Sequence, residues 1–267
     1  MLDRTGRLLA RTAELVDTRL SVPTRVPLLS VIVPAYNEAG TVAEVIRRVQ
    51  EVAIEKEIIV VDDGSTDGTG EILSEIARLS SAAAEPASCD LLRIFRQDRN
   101  RGKGAALRRG FQEACGRIVI IQDADLELNP NEYAKLIRPI EAGQADVVYG
   151  SRFLGKSRVE IPFLHLAANK LLTAASNALT GLNLTDVWTG YKAFRREILE
   201  KIDLVEDRFG FEPEITAKIA KAGCQVQELP VAYACRTRAQ GKKIGWKDAV
   251  RGMWCTVRYG LFSYPGL

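Results

Sequence analysis

The spacing of apolar residues changes period several times along the chain, and each change marks an element. "LSVIVP" (29–34) is an unbroken apolar run, as expected of a strand covered on both faces. Val42, Val45, Ile46 and Val49 then recur at helical spacing. "EIIVVD" (57–62) reads as a second strand, and Ile72, Leu73, Ile76 and Leu79 trace a second helix. An Ala/Ser-rich stretch, 80–90, reads as loop. "LLRIF" (91–95) and "RIVIIQD" (117–123) are further strands, with a helix over 103–115 between them. Asn129 suits a helix N-cap and Pro130 the first helical position, ahead of a buried face made by Tyr133, Leu136, Ile137 and Ile140. "DVVYG" (146–150) is the next strand.

The second half is less regular. It predicts a long amphipathic helix over 162–181, a helix opened by Pro213, a strand over 225–231 and a C-terminal helix from 246. Strands alternating with helices through short connections predict an α/β fold: a mostly parallel sheet with helices on both faces. Residues 1–27 read as an N-terminal extension, 28–235 as the main domain and 236–267 as a basic, aromatic C-terminal segment.

Composition narrows the class. An apolar fraction of 46% and a charged fraction of 27% suit a globular chain. A net charge of only +3 gives no field favouring nucleic acid as a partner. Five cysteines, an odd number without CxxC spacing, read as reduced thiols in a cytosolic protein. The first twenty residues lack the apolar core of a signal peptide, and no run approaches the ~20 apolar residues of a membrane span. The expected location is cytoplasmic, with any membrane contact peripheral and on the cytoplasmic face.

Four predicted strands end in polar clusters: "PAYNE", "DDGSTD", "RQDRNRGKG" and "QDADLE". Ligands of parallel α/β sheets bind beyond the carboxyl ends of the strands, so these clusters predict one shared site. If the last cluster continues the strand, Asp123, Asp125 and Glu127 share a face, while Gln122, Ala124 and Leu126 face away. Two carboxylates ~6 Å apart repel by roughly 3 kcal/mol at an effective dielectric of 20, so a cation among them is expected. Oxygen ligands without Cys or His point to Mg²⁺ or Mn²⁺. The competing reading is a solvated turn ahead of Asn129.

"RNRGKGAALRRG" is neither a Walker A loop, because Gly104-Ala105 follows Lys103, nor GxGxxG, because Leu107 takes the third glycine position. What remains is Lys103 at a helix N-terminus, which reads as a phosphate contact or as a basic turn. The single histidine, His165, stands on the long helix with no partners for a nucleophilic mechanism. Between 236 and 258, seven basic residues face one acid, Asp248, with Trp246, Met253 and Trp254 interleaved. That mixture suits a membrane interface or single-stranded nucleic acid, or a helix that packs its aromatics inward.

Taken in order, "VIVPAYNE", "VVDDGSTDGT", "GKGAALRRG", "QDADLE", "GSRF" and "RFGFEPEITAKIAK" resemble glycosyltransferase family 2, in its dolichol-phosphate mannose synthase-like, polyprenyl-phosphate glycosyltransferase branch. The resemblance covers residues 28–262. It implies a GT-A fold and an inverting, metal-dependent transfer of a sugar from a UDP- or GDP-sugar to a polyprenyl phosphate. Pro34, Ala35, Tyr36 and Glu38 match the family's nucleotide-binding strand end, and Val61 and Asp63 match positions around the base. Asp123 and Ala124 match the nucleotide-contacting part of the acidic motif, and Asp125 and Glu127 the metal-binding pair. Arg152 matches an arginine near the phosphates and acceptor; Arg236 with Lys242 or Lys243 matches a basic pair closing over the diphosphate.

A phosphate acceptor is already an anion and needs no base, whereas a hydroxyl of a glycan or lipid does. Glu214 and Glu212 are the candidates for that base, with a helix start as their plainer role. Many relatives continue into transmembrane helices, whereas this sequence stops at Leu267; a lipid-linked acceptor is then expected to be met by peripheral docking through 161–184 and 246–264. The acceptor helix offers Lys170 and His165 where relatives place an arginine.

Overall fold

The computed structural model describes residues 26–83, 91–155, 163–235 and 246–262. Residues 1–25 of the N-terminal extension, Cys89, Arg236, Lys242 and Lys243 lie outside the described residues. In chain order the elements are β1 (Leu29–Ala35), α1 (Val42–Gln50), β2 (Lys56–Asp62), α2 (Thr69–Ala83), β3 (Leu91–Arg96), α3 (Lys103–Glu113) and β4 (Ile118–Ile121). A 3₁₀ turn, Pro130–Glu132, leads into α4 (Tyr133–Glu141). Then follow β5 (Val147–Ser151), α5 (Phe163–Thr180), β6 (Lys192–Arg195), α6 (Arg196–Lys201), α7 (Phe211–Lys221), β7 (Val226–Pro230) and α8 (Trp246–Leu261).

The strands form one sheet in the order β3-β2-β1-β4-β6-β5-β7. Every pairing is parallel except those of β6, which runs antiparallel to both β4 and β5. Alternation along each strand sends residues to two cores. Val31 and Val33 of β1 join Ile58, Val60, Val45, Ile46, Leu136 and Ile140 on one face. Ile32 joins Ile59, Val61, Leu107, Phe194, Phe211 and Ile215 on the other. This is the expected mostly parallel sheet covered on both sides.

Several elements depart from the periodicity; α2 runs on to Ala83, into the Ala/Ser-rich stretch expected as loop. β6 and α6 were not expected, because "KAFR" opens on a lysine and is too short to carry a pattern. α7 begins at Phe211, two residues before Pro213, which sits in the first turn where its missing N–H costs nothing. Asn129 does cap its turn, its side chain accepting from the Asn131 amide at 3.1 Å. Among the described residues no helix is long and apolar enough to cross a membrane. Cys115, Cys224, Cys235 and Cys255 are free thiols.

Strand order reverses at β1, which lies between β2 and β4. The crevice beyond the carboxyl ends of β1 and β4 is therefore the topological switch point of the sheet.

Candidate active site

The polar clusters meet at that crevice and are tied together there. Asn37, at φ +51°, donates its amide to the Ser65 hydroxyl (2.9 Å) and accepts from the Thr66 amide (2.8 Å). The Glu38 amide donates to the Thr69 hydroxyl at 2.9 Å. Thr41, one turn on, donates its hydroxyl to the Ala124 carbonyl at 2.7 Å and approaches the Glu38 carboxylate at 3.0 Å. The loops after β1, β2 and β4 thus hold one another in register. Pro34 and Ala35 end β1, and Tyr36 and Glu38 stand half-buried beyond it.

The acidic cluster is not an extension of β4. The strand ends at Ile121, and residues 124–127 turn, with Leu126 at φ +62°. Left-handed backbone at a branched residue is uncommon and costs on the order of 1 kcal/mol. The expectation that Asp123, Asp125 and Glu127 share a face of extended chain is therefore corrected. Among the described residues no three acidic, His or Cys side chains converge as a metal cluster. Asp123 pairs with Lys103 at 2.7 Å. Asp125 accepts from the Glu127 amide at 3.2 Å, and Glu127 accepts from the Tyr233 hydroxyl at 2.6 Å.

That leaves Asp125 and Glu127, both half-buried, as an all-oxygen pair two residues apart on one turn. A hard divalent cation that takes one or two carboxylates from protein and its remaining ligands from substrate phosphates fits this donor set.

The turn is seated from below. Gln122, fully buried, accepts hydroxyls from Tyr133 and Tyr191 (both 2.8 Å) and donates to the Asp123 carbonyl (3.0 Å). A Cβ on Gly190 would lie 2.0 Å from an Asp123 carboxylate oxygen, so only glycine leaves that carboxylate where it is.

Lys103 opens α3 and faces Asp123, with Glu212 3.6 Å away. Burial alone would lower its pKa, but Asp123, Glu212 and Asp125 outweigh that and hold the ammonium above the usual lysine range. Arg152, after β5, makes a bidentate pair with the buried Asp186 (2.7 and 2.8 Å) and lies 5.0 Å from the Tyr233 ring centre. Burial opposes its charge and Asp186 more than restores it, so its pKa is raised. Tyr233 thus bridges the acidic turn and Arg152, immediately before the segment that carries Arg236.

Several expected contacts have other duties. Val61 is fully buried inside the sheet, so its side chain has no surface to offer a base. Ala124 is likewise in the core and presents its carbonyl, to Thr41. Asp63 accepts from the Gln97 side chain (2.9 Å) and from the Arg101 and Gly102 amides (2.8 and 2.7 Å), clamping the loop that leads to Lys103. Its pKa is raised by burial, against the pull of those amides.

Glu214 is fully buried and accepts from the Val205 and Glu206 amides (both 2.8 Å) and from Lys218 (3.0 Å). It anchors the loop before α7 and is not placed as a base. Glu212 pairs with Lys192, a buried lysine of β6. Lys170 is exposed on α5. Local sequence carried no sign of Thr41, Tyr233, Asp186 or Lys192, because each acts across 34 to 106 residues or through an unexpected strand, save Lys192 with Glu212 at 20.

A model of the family described as "Glycosyl transferase family 2" matches residues 30–203. Polyprenol monophosphomannose synthase of Mycolicibacterium smegmatis is 33% identical over 86% of this chain and 86% of its own length. Undecaprenyl-phosphate mannosyltransferase of Micrococcus luteus is 31% identical over 80% of this chain and 86% of its own. Among solved structures, glucosyl-3-phosphoglycerate synthase from Mycobacterium tuberculosis, crystallised with Mn²⁺ and uridine diphosphate, aligns with a TM-score of 0.64 over 90% of this chain and 82% of its own. At 20% identity that likeness speaks to the fold, which is GT-A. With the polar clusters gathered at the switch point, the chain belongs to glycosyl transferase family 2 and is a glycosyltransferase.

Proposed function

We propose that the protein transfers a sugar, with inversion, from a UDP- or GDP-sugar to a polyprenyl phosphate at a membrane surface. The observation that carries this reading is the assembly of the 123–127 acidic turn, Lys103 and Arg152 at the switch point of a chain whose relatives are named as polyprenol- and undecaprenyl-phosphate mannosyltransferases. Asp125 and Glu127 would hold Mg²⁺ or Mn²⁺, which when bound supplies positive charge to the leaving diphosphate.

The remaining chemistry belongs to the chain. Lys103 presents a cation at the start of a helix, where the macrodipole also favours a phosphate. Arg152 holds its planar fork rigid against Asp186, at the edge where an acceptor phosphate would arrive. An oxygen of the acceptor phosphate attacks the anomeric carbon as the bond to the diphosphate oxygen breaks, and no proton has to leave the nucleophile. The engagement of Glu214 by two backbone amides and a lysine supports this base-free route over transfer to a hydroxyl.

Calorimetric titration with UDP and GDP, each with and without Mn²⁺, tests the donor half. Metal-dependent binding of one of them is expected, and binding of neither would overturn the donor reading. Solvent extraction of labelled product tests the acceptor half: a mild-acid-labile lipid product is expected, and an acid-stable glycoside would point to a hydroxyl acceptor.

Membrane docking falls to α8. Its inner face buries Cys255 and Tyr259, while Val250, Trp254, Val257 and Leu261 recur at helical spacing on the exposed side, with Leu171 exposed on the adjacent α5. Arg251 and Arg258 flank that face. On this reading the inward and interfacial roles fall to different sides of one helix. Trp254→Ser is expected to weaken co-sedimentation with anionic phospholipid vesicles about tenfold, equivalent to roughly 1.4 kcal/mol of apolar burial, with the melting temperature unchanged. Unaltered co-sedimentation would remove α8 from the docking surface.

A further inference from the structure

Four charges of alternating sign run from the core to the crevice: Lys192, Glu212, Lys103 and Asp123. Side-chain exposure rises along the line, from 0% and 4% to 19% and 24%. Lys192 lies over the Tyr149 ring, 5.0 Å from its centre, and donates to the Thr189 carbonyl at 2.5 Å as well as to Glu212. Its burial and the nearby Lys103 pull its pKa below the usual lysine range, while Glu212 and the more distant Asp186 act the other way. A lysine taken wholly out of water is costly, and the fold retains one here beside the site.

The geometry shows where Lys103 is divided. Its ammonium stands 2.7 Å from Asp123 and 3.6 Å from Glu212, and the other Glu212 oxygen is held by Lys192. We propose that Lys192 is a positioning residue of the donor site: by engaging Glu212 in the core it leaves the Lys103 ammonium on Asp123 at the crevice, where it meets the nucleoside diphosphate. Without the Lys192 charge, Glu212 is a nearly buried carboxylate whose adjacent cation is Lys103. A buried carboxylate left unpaired draws that cation into full contact, which withdraws it from Asp123 and from the diphosphate.

This inference rests on the donor reading above, and its test separates the two. Binding of UDP and GDP, each with Mn²⁺, is measured by calorimetry on the wild type, on Lys192→Met and on the double variant Lys192→Met/Glu212→Gln. Lys192→Met is expected to raise the dissociation constant of the bound nucleotide about tenfold or more, the size of one lost charge-assisted contact. The double variant, with no charge left to draw Lys103 inward, is expected to recover to within about threefold of wild type.

A structural role alone would leave the double variant as weak as the single one, and that result overturns the proposal. So does wild-type affinity in Lys192→Met. If wild type binds neither nucleotide, the donor reading falls and takes the proposal with it. Should Lys192→Met fail to fold, Lys192→Gln removes the charge but keeps a donor for Glu212 and Thr189, and the same loss and the same recovery with Glu212→Gln are required of it.

Discussion

Asp125→Asn is expected to lower turnover by about a thousandfold, roughly 4 kcal/mol of transition-state stabilisation, while the protein stays folded. The fold survives because the local role of Asp125 is that of an acceptor. Its side-chain oxygen receives the Glu127 amide at 3.2 Å, and an asparagine oxygen can do the same. The charge cannot be replaced in this way. Asp125 and Glu127 are the acidic pair proposed to hold the cation, and the turn that carries them is held by Gln122, Thr41 and Tyr233. Neighbours this fixed leave little freedom for another carboxylate to move in. Turnover is measured with whichever nucleotide-sugar binds, alongside a thermal melt. Wild-type turnover in a folded Asp125→Asn variant would sink the assignment of this turn as the cation site.

Gly104→Ala should destabilise the protein by about 3 kcal/mol, lowering its melting temperature by roughly 6–12 °C. A Cβ there would lie 2.1 Å from the Glu206 carbonyl oxygen and 3.1 Å from that of Arg208. Both are backbone atoms, and the loop that carries them is pinned from several directions. The Glu206 amide is held by Glu214 at 2.8 Å and its carbonyl by Arg108 at 2.7 Å. The Glu206 side chain is buried against Arg251 (2.8 Å) and Tyr259 (3.0 Å) of α8. The Asp207 carbonyl receives the Ala105 amide at 3.0 Å. Relief therefore requires α3 to lift at its N-terminus, which moves Lys103, and weaker nucleotide binding should accompany the lower melting temperature. An unchanged melting temperature would mean that α3 is not seated on this loop.

The glycines beside Lys103 illustrate what a sequence reading can and cannot reach. "GKG" before an apolar helical pattern reads as a lysine at a helix start, a phosphate contact or a basic turn, and Lys103 does open a helix at the crevice. The reason for Gly104, however, is a loop a hundred residues away. Asp63 is similar: it follows a strand, as a ligand contact would, but its carboxylate is taken up by three donors from the loop after β3.

For Glu214, helix position favoured a helix start and kept a base as the second role, and in the structure its carboxylate is taken up by the 205–206 amides. The acidic turn shows the reverse error. Alternating carboxylates imply one face only if the strand continues, and β4 stops at Ile121.

Strands, helices and their alternation were determined by the sequence itself, because burial on one face or two imposes a period that can be read locally. So was the placing of polar clusters after four strands, and with it the crevice and the family. Tertiary structure alone decided the antiparallel insertion of β6, the pairing of Arg152 with Asp186, the Tyr233 contact with Glu127 and the line of charges that runs from buried Lys192 out to Asp123 at the crevice. These join residues distant along the chain, and charge pairing in a core depends on which groups packing excludes from water together, a property that no local period records.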